Sequence, residues 1–179
     1  MSRRTLAPVV AAVALLAAGG PARAAAVQPT FEVVASGGWR TSIDVYDRAP
    51  GFQAVGAGGE VFVGAAWGGV GLAAGGRVRG GGVRGVGFID AGGDLALQLL
   101  VGERTRLRLG GEAGRAFLGD ASAWFAGGFL EGSFDIVQLR GGRAALIFNL
   151  RIDVDEVIGD DLRFPKISTA IAAGFGFRY

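Results

Sequence analysis

Three absences narrow the chemistry open to this chain of 179 residues. It contains no cysteine and no histidine, which excludes disulfides, thiolate metal sites and any catalytic arrangement that needs an imidazole. Beyond residue 24 it has few prolines and no long apolar segment. Because a spanning helix needs about 20 apolar residues, any part of this domain that crosses a membrane must do so with strands.

The first residues have the three parts of a secretory signal peptide. Arg3 and Arg4 form a basic start, residues 6–18 are apolar, and residues 22–24 form a small-x-small cleavage site. The apolar run is shorter than a spanning helix, and the Gly-Gly-Pro sequence at 19–21 ends it. We therefore expect export across the inner membrane.

The chain is predicted to divide into a cleaved signal peptide, residues 1–24, and one mature domain, residues 25–179. No cysteine follows the signal peptide, so a lipoprotein anchor is excluded. Removing the signal peptide takes three arginines with it and leaves 15 basic and 16 acidic residues, a net charge of −1. The basic isoelectric point of the full chain therefore does not reflect a nucleic-acid-binding surface, and no nucleic-acid partner is expected.

Glycine is abundant, with 34 residues in the chain, and all but Gly19 and Gly20 are spread along the mature domain. The glycines alternate with valine, phenylalanine, leucine and tryptophan at strand spacing, as in residues 60–64 and 124–132. A flexible coil would lack this hydrophobicity. In a small and strongly curved barrel, glycine relieves crowding and lets neighbouring strands approach each other. The composition favours a barrel over disorder.

Residues 167–179 alternate between two kinds of side chain. The larger ones share one face: Ile167, Thr169, Ile171, Ala173, Phe175, Phe177 and Tyr179. A period of two indicates a β-strand with one apolar face. The segment resembles the terminal strand of bacterial outer-membrane β-barrels, which carries a glycine and then two aromatic residues two positions apart. Gly174, Phe177 and Tyr179 match that signal, and Ala172 stands where a polar residue is usual.

Eight such segments can be drawn in the mature domain. We therefore predict an all-β fold: a single antiparallel, up-and-down transmembrane β-barrel of the small OmpA- or OmpX-like class. The predicted strands are residues 30–40, 52–65, 70–79, 88–101, 106–117, 124–139, 144–155 and 167–179. Each is long enough for a tilted span of about 9 to 11 residues. Ten strands remain possible if residues 68–93 contain another hairpin.

The connections are expected to alternate between long loops on one side of the membrane and short turns on the other. An even number of strands puts both ends of the barrel on the turn side, the periplasm. Aromatic side chains fall near segment ends, where a girdle would meet the lipid headgroups. They are Trp39, Trp67, Phe117, Trp124 and Tyr179. The long loops are predicted at residues 41–51, 80–87 and 156–165, with shorter connections at 67–68, 102–105, 119–123 and 141–142.

Alternation also assigns apolar side chains such as Val55, Leu95 and Ile152 to lipid, and charged side chains to the lumen. The predicted lumen set is Glu32, Arg40, Glu60, Arg77, Arg79, Asp90, Asp94, Arg106, Arg108, Glu112, Glu131, Asp135, Arg151, Asp153 and Asp155. An eight-stranded barrel is just wide enough for side chains to fill. We expect these charges to pair and to plug the lumen, because unpaired buried charge is costly. A narrow, gated pore is the alternative.

We expect no catalytic, cofactor or metal site. Outer-membrane lipases, lipid A deacylases and palmitoyltransferases use histidine with serine, and this chain has no histidine. A Ser and Lys dyad from Lys166 and Ser168, which share the inward face, is a conceivable substitute, although a lysine near a rim is ordinarily solvated. Glycosidase chemistry from Glu131 and Asp135 would need a pocket that a plugged lumen does not supply.

Two further sequence patterns are candidates for binding sites. An acidic group near the last loop is a candidate for Ca²⁺ or for divalent ions that bridge to lipopolysaccharide phosphates. Its members are Asp153, Asp155, Glu156, Asp160 and Asp161. The spacing lacks the D-x-D-x-D-G form, so we favour a solvated acidic loop. Gly80, Gly82 and Gly85 match G-x-G-x-x-G by position, but no βαβ unit surrounds them, and no nucleotide site is predicted.

The predicted protein is a non-enzymatic, monomeric, integral barrel of the cell outer membrane with a structural or surface-contact role in the envelope. The resemblance implies contact with outer-membrane lipid and lipopolysaccharide. It also implies recognition by the barrel-assembly machinery through Gly174, Phe177 and Tyr179. The alternatives are a narrow outer-membrane pore for small solutes or apolar molecules, and a secreted, soluble, lipocalin-like binder. The last requires apolar groups inside and charge outside.

Overall fold

A computed structural model describes residues 27–43, 52–139, 141, 144–159 and 161–179. The predicted signal peptide lies outside these residues. The elements are β1 (Gln28–Ser42), β2 (Gln53–Trp67), β3 (Val70–Val83), β4 (Val86–Val101), β5 (Thr105–Leu118), β6 (Ala121–Leu139), β7 (Ala144–Ile158) and β8 (Ile167–Arg178). Among the described residues, no helix is long and apolar enough to cross a membrane.

The eight strands form one closed antiparallel barrel in chain order, with β8 pairing back to β1. At the closure Phe31 and Tyr179 exchange both main-chain hydrogen bonds, at 2.9 and 2.8 Å. The predicted architecture is therefore confirmed. Residues 68–93 hold the β3–β4 hairpin and no additional pair of strands, which decides between eight strands and ten.

The strands are strongly staggered around the barrel. Starting at Glu32 on β1, each residue can be followed to its paired residue on the next strand, once around the closed sheet. This path returns to β1 at Ser42, which is ten residues further along the strand than Glu32. Stagger and strand number together set the diameter of a barrel. An eight-stranded barrel of this kind has a lumen that is filled by side chains.

The predicted faces are confirmed along all eight strands. Side chains assigned to lipid are exposed, as with Val55 at 68% and Leu95 at 64%, whereas Arg151 and Asp153 in the lumen are each 0% exposed. This polarity is the inverse of the polarity of a soluble protein, because the exterior of the barrel is apolar and its interior carries the charge.

The predicted loop at residues 80–87 is wrong. β3 continues to Val83 and β4 begins at Val86, and the glycines between them pair across the hairpin. Gly81 faces the lumen, and a Cβ there would lie 2.3 Å from the main-chain oxygen of Val55 on the neighbouring strand. The glycines permit this close approach of strands, so they belong to the barrel wall and not to a loop.

The predicted alternation of long and short connections is also wrong. One rim, here called the loop rim, carries the connections 43–52, 84–85, 119–120 and 159–166, and two of these four are only two residues long. At 84–85 both Arg84 and Gly85 have positive φ, 48° and 83°, as the tightest hairpin turns require. The opposite rim, the turn rim, carries the connections 68–69, 102–104 and 140–143.

Candidate functional site: the lumen

The centre of the lumen is occupied by the guanidinium of Arg151, which projects from β7 and is completely buried. It meets the carboxylates of five residues on five different strands. These are Glu60 on β2 (3.1 Å), Asp94 on β4 (2.9 Å), Glu112 on β5 (2.8 Å), Glu131 on β6 (3.8 Å) and Asp153 on β7 itself (2.6 Å). One side chain therefore links strands from all around the barrel.

A second layer lies between Arg151 and the loop rim. Arg77 on β3 reaches Asp153 on β7, with 2.9 Å between Nη1 and Oδ1, and it also contacts Glu112. Arg79 Nη1 lies 2.7 Å from the other oxygen of Asp153. Arg40 on β1 pairs with Asp155 at 2.7 Å. Both carboxylate oxygens of Asp153 are thus engaged by arginines from the far wall.

A third layer lies towards the turn rim and is centred on Glu32. Arg178 Nε is 2.7 Å, Arg108 Nη2 2.8 Å and Arg106 Nη1 3.2 Å from its Oε1. Arg108 also pairs with Glu131 at 2.5 Å, which joins this layer to the central one. Each of the seven lumen arginines in the described strands forms an ion pair with at least one carboxylate.

Aromatic rings support the central arginines. The guanidinium carbon of Arg151 lies 3.9 Å from the ring centre of Phe129, and that of Arg108 lies 4.4 Å from the ring centre of Phe62. Such cation–π contacts gain strength where water is excluded. The rings and the ion pairs together lie across the centre of the lumen.

The loop-rim end of the lumen holds a cluster of buried aromatic rings, here called the aromatic cap and made of Phe52, Phe88, Phe125 and Phe164. Phe52 and Phe88 pack edge to face with ring centres 5.8 Å apart. Phe164 comes from the connection between β7 and β8, and it is only 2% exposed. The sequence prediction missed the role of Phe164, although the only aromatic residue of the predicted loop 156–165 was a usable signal.

The two residues of the conceivable Ser and Lys dyad are each engaged by other groups. Lys166 Nζ donates to the carbonyl of Val157 at 3.0 Å and pairs with Glu156 at 3.1 Å. The Ser168 hydroxyl lies in the lumen and accepts a hydrogen bond from Arg40 Nη1 at 3.3 Å. The contacts that hold the Lys166 ammonium and the Ser168 hydroxyl thus come from different residues.

The other candidate sites are likewise taken up by ion pairs. Glu131 is held by Arg108, and Asp135 contacts Arg178. The acidic group near the last loop is divided. Asp153 and Asp155 are buried in the lumen, because β7 extends to Ile158, so a solvated loop is wrong for these two residues. Glu156 and Asp161 lie outside it and pair with Lys166 and Arg163. Asp160 lies outside the described residues.

No metal centre emerges from the described part of the chain. It contains no group of three or more acidic, histidine or cysteine side chains that is placed to hold an ion.

The exterior carries little charge. In the described strands two charged side chains face outward, Arg115 on β5 and Glu156 on β7, both near the loop rim. The guanidinium of Arg115 lies 5.6 Å from the ring centres of both Phe117 and Trp124, and it donates to Ser122 at 2.8 Å. The aromatic residues predicted to form the girdle are exposed, as they must be to meet headgroups.

Comparison with known proteins gives a fold match without a sequence match. No protein-family model matches the chain, and no curated protein is significantly similar in sequence. Neisserial surface protein A, a solved structure, is 13% identical, and the match covers 85% of this chain and 97% of that one with a TM-score of 0.56. Ail, the attachment invasion locus protein of Yersinia pestis, solved with the heparin analogue sucrose octasulfate, is 9% identical, with coverage of 84% and 97% and a TM-score of 0.51.

A third match, the outer membrane protein OprG of Pseudomonas aeruginosa, is 11% identical over 84% of this chain and 95% of that one, with a TM-score of 0.44 that is too low to support an argument. The first two matches support the fold. Closed topology, apolar exterior and charged lumen define an eight-stranded barrel of the outer-membrane class. The predicted location, the cell outer membrane, agrees with the apolar exterior of the barrel.

Proposed function

We propose that this protein is a sealed, non-enzymatic, monomeric barrel that acts as a structural or surface-contact element of the outer membrane. The observation that carries the proposal is the network around Arg151, which ties β2, β4, β5, β6 and β7 together across the lumen. A permeating ion would have to separate these buried pairs, and leaving either partner uncompensated is costly.

Conductance in planar lipid bilayers tests the seal. The purified barrel is expected to insert without producing discrete current steps, while a general porin in the same bilayer produces them. Stepwise conductance from the wild-type protein would favour the narrow-pore alternative and overturn the structural one. The soluble lipocalin-like alternative is not carried forward, because it requires the opposite arrangement of polar and apolar side chains.

The contact surface of this proposal is the loop rim, where the connections 43–52 and 159–166 are the longest. Leu162 in the second of these is 66% exposed. The chain has no native cysteine, so single cysteines can report which rim faces outward. Leu162→Cys should react with a membrane-impermeant maleimide on intact cells, and Glu103→Cys at the turn rim should react only after the outer membrane is permeabilised. The reverse result would remove the loop rim as a surface for contact outside the cell.

Lipid contact is proposed to centre on Arg115. Its guanidinium is oriented by Phe117, Trp124 and Ser122 near the loop rim, where phosphate groups of the outer leaflet would meet it, and arginine binds phosphate in a planar, charge-assisted geometry. Native mass spectrometry with lipopolysaccharide should show fewer bound lipids for Arg115→Gln than for the wild type. Arg163→Gln, in the 159–166 connection, is the matched control, and an equal loss in both variants would refute a specific site.

Recognition by the barrel-assembly machinery is proposed to use Phe177 and Tyr179, whose rings are exposed on the outer face of the β8 side of the closure. Gly174 has a separate structural reason, because a Cβ there would lie 2.2 Å from the main-chain oxygen of Ala35. Phe177→Ala should therefore lower the amount of folded protein in cells and leave unassisted refolding in detergent unchanged. Equal losses in both settings would mean that the ring serves folding and not recognition.

A further inference from the structure

A cavity lies in the lumen between the central ion pairs and the loop rim. Its wall is formed by β8 and β1 to β4, where the inward positions include Gly56, Gly58 and Gly81, which carry no side chains. The space open to the centres of water-sized spheres is about 40 Å³. Since one water needs about 10 to 15 Å³ by that measure, the cavity has room for two or three. We call it the upper chamber.

Three polar side chains that line the upper chamber come from one paired row of the barrel wall. Ser36 pairs with Gly58, Gly58 with Arg79, and Arg79 with Asp90 along β1 to β4. Ser36 and Arg79 stand on either side of Gly58 in this row, and Asp90 follows Arg79. The row thus places a hydroxyl, a guanidinium and a carboxylate around the same space.

Each of these three groups has an atom without a hydrogen-bond partner in the protein. The atoms are Ser36 Oγ, Arg79 Nη2 and Asp90 Oδ2. Ser36 is 7% and Asp90 1% exposed, and the Arg40 nitrogen that faces Asp90 Oδ2 is 3.5 Å away. Buried polar atoms are rarely left unsatisfied, since each costs free energy comparable to a lost hydrogen bond.

The mixture of donors and acceptors selects the ligand. An anion that accepted from Arg79 would lie against the Asp90 carboxylate, and a cation beside Asp90 would lie against the guanidinium groups of Arg40 and Arg79. Water accepts from the arginine, donates to the carboxylate and serves the hydroxyl in either role. Its size also matches the volume of the chamber.

We propose that the upper chamber binds a cluster of two or three water molecules, held by Ser36, Arg79 and Asp90 beneath the aromatic cap. The lumen is then not uniformly dry. Its seal consists of the aromatic cap above the water and the Arg151 layer below it. This goes beyond the proposed structural role, because it specifies a hydrated compartment within a closed barrel.

Magnetisation transfer from water in NMR spectra of the micelle-bound barrel tests the proposal directly. Gly58 and Gly81 line the chamber, and their Hα protons should show cross-peaks to water. Those of Gly93 and Gly111 point outward, and they should instead show cross-peaks to detergent chains. Water cross-peaks missing at Gly58 and Gly81, with the outward glycines behaving as expected, would overturn the proposal.

The direction in which Ser36→Ala shifts the urea midpoint of unfolding is an independent test. If the hydroxyl is bonded to water, removing it loses a hydrogen bond and the urea midpoint falls. If the chamber is dry, removing an unsatisfied buried hydroxyl raises the midpoint, and that result would contradict the proposal. Ser133→Ala is the control, since that hydroxyl has a protein partner in Arg178 and its loss lowers the midpoint in either case. Stepwise conductance from the wild-type barrel would contradict the proposed sealed barrel, but it would not contradict the water cluster.

Discussion

Arg77 and Asp153 stand on β3 and β7, which are opposite strands of an eight-stranded ring, and their side chains meet with 2.9 Å between Nη1 and Oδ1. A single ion pair therefore spans the lumen. Such contact is possible because the barrel is narrow enough for side chains to reach across it. The same carboxylate also binds Arg79 and Arg151, so the pair is part of a continuous network.

Removing Arg151 should destabilise the barrel more than removing any exposed arginine. Arg151→Ala leaves several buried carboxylates with less compensation, and breaking a buried ion pair in this way costs about 3 to 5 kcal/mol. Urea unfolding in lipid vesicles measures the loss. Arg163→Ala, in an exposed pair with Asp120 and Asp161, should cost less than about 1 kcal/mol. Similar losses for the two variants would mean that the central network contributes little to stability.

Glycines of the barrel wall should differ sharply according to the face they occupy. At Gly174 a Cβ would lie 2.2 Å from the oxygen of Ala35, whereas at outward-facing Gly93 it would lie 3.8 Å from the oxygen of Gly75, an ordinary contact. Gly174→Ala should cost about 1 to 3 kcal/mol through overpacking, and Gly93→Ala should be nearly neutral. The fraction of heat-modifiable protein after refolding in detergent reports both, and a neutral Gly174→Ala would contradict the predicted close approach at the closure.

Phe164 should hold the 159–166 connection against the mouth of the lumen. Phe164→Ala removes the ring that this connection contributes to the aromatic cap, so the connection should open more often and be cut faster by trypsin at Arg163 and Lys166. Leu162→Ala, two positions away and exposed, should leave the rate of cleavage unchanged. Equal rates in the wild type and Phe164→Ala would show that the cap does not restrain this connection.

The pKa of the Asp161 carboxylate should depend on Arg163. Hydrogen bonds from the Arg163 side chain, one of them 2.8 Å from Nη2 to Oδ2, and from its main-chain nitrogen hold the pKa of Asp161 below its usual value. A lowered pKa stabilises the folded connection at pH values above the usual pKa, and this contribution disappears as pH falls through the lowered one. NMR titration of Asp161 should show the pKa rising in Arg163→Gln; an unchanged pKa would contradict the pairing.

The faces of the strands were predictable because alternation is local. In a strand every second side chain points the same way, so the sequence around Leu95 or Arg151 was enough to assign lipid or lumen. Ends of strands were less predictable, because glycine serves two purposes. Gly85 provides the positive φ of a turn, while Gly81 provides close approach within β3, and composition alone does not separate the two.

The sequence alone did not predict which charged residues form ion pairs across the lumen. Arg77 and Asp153 are 76 residues apart, and their contact depends on the stagger of ten residues around the closed sheet as well as on strand order. The same holds for Phe164, whose place in the aromatic cap follows from where the last connection folds. Alternation predicted that charges would pair inside the barrel, but it did not specify the pairs.

Tryptophan fluorescence in vesicles of brominated lipid tests the central claim, that lipid surrounds the exterior of this barrel. Trp39, Trp67 and Trp124 are 42%, 50% and 59% exposed on the outer face near strand ends. Bromine atoms in the acyl chains quench indoles that they contact, so emission should fall strongly after refolding into brominated vesicles and should hardly respond to an aqueous quencher such as iodide. Emission that is unaffected by bromine and quenched by iodide would contradict the account.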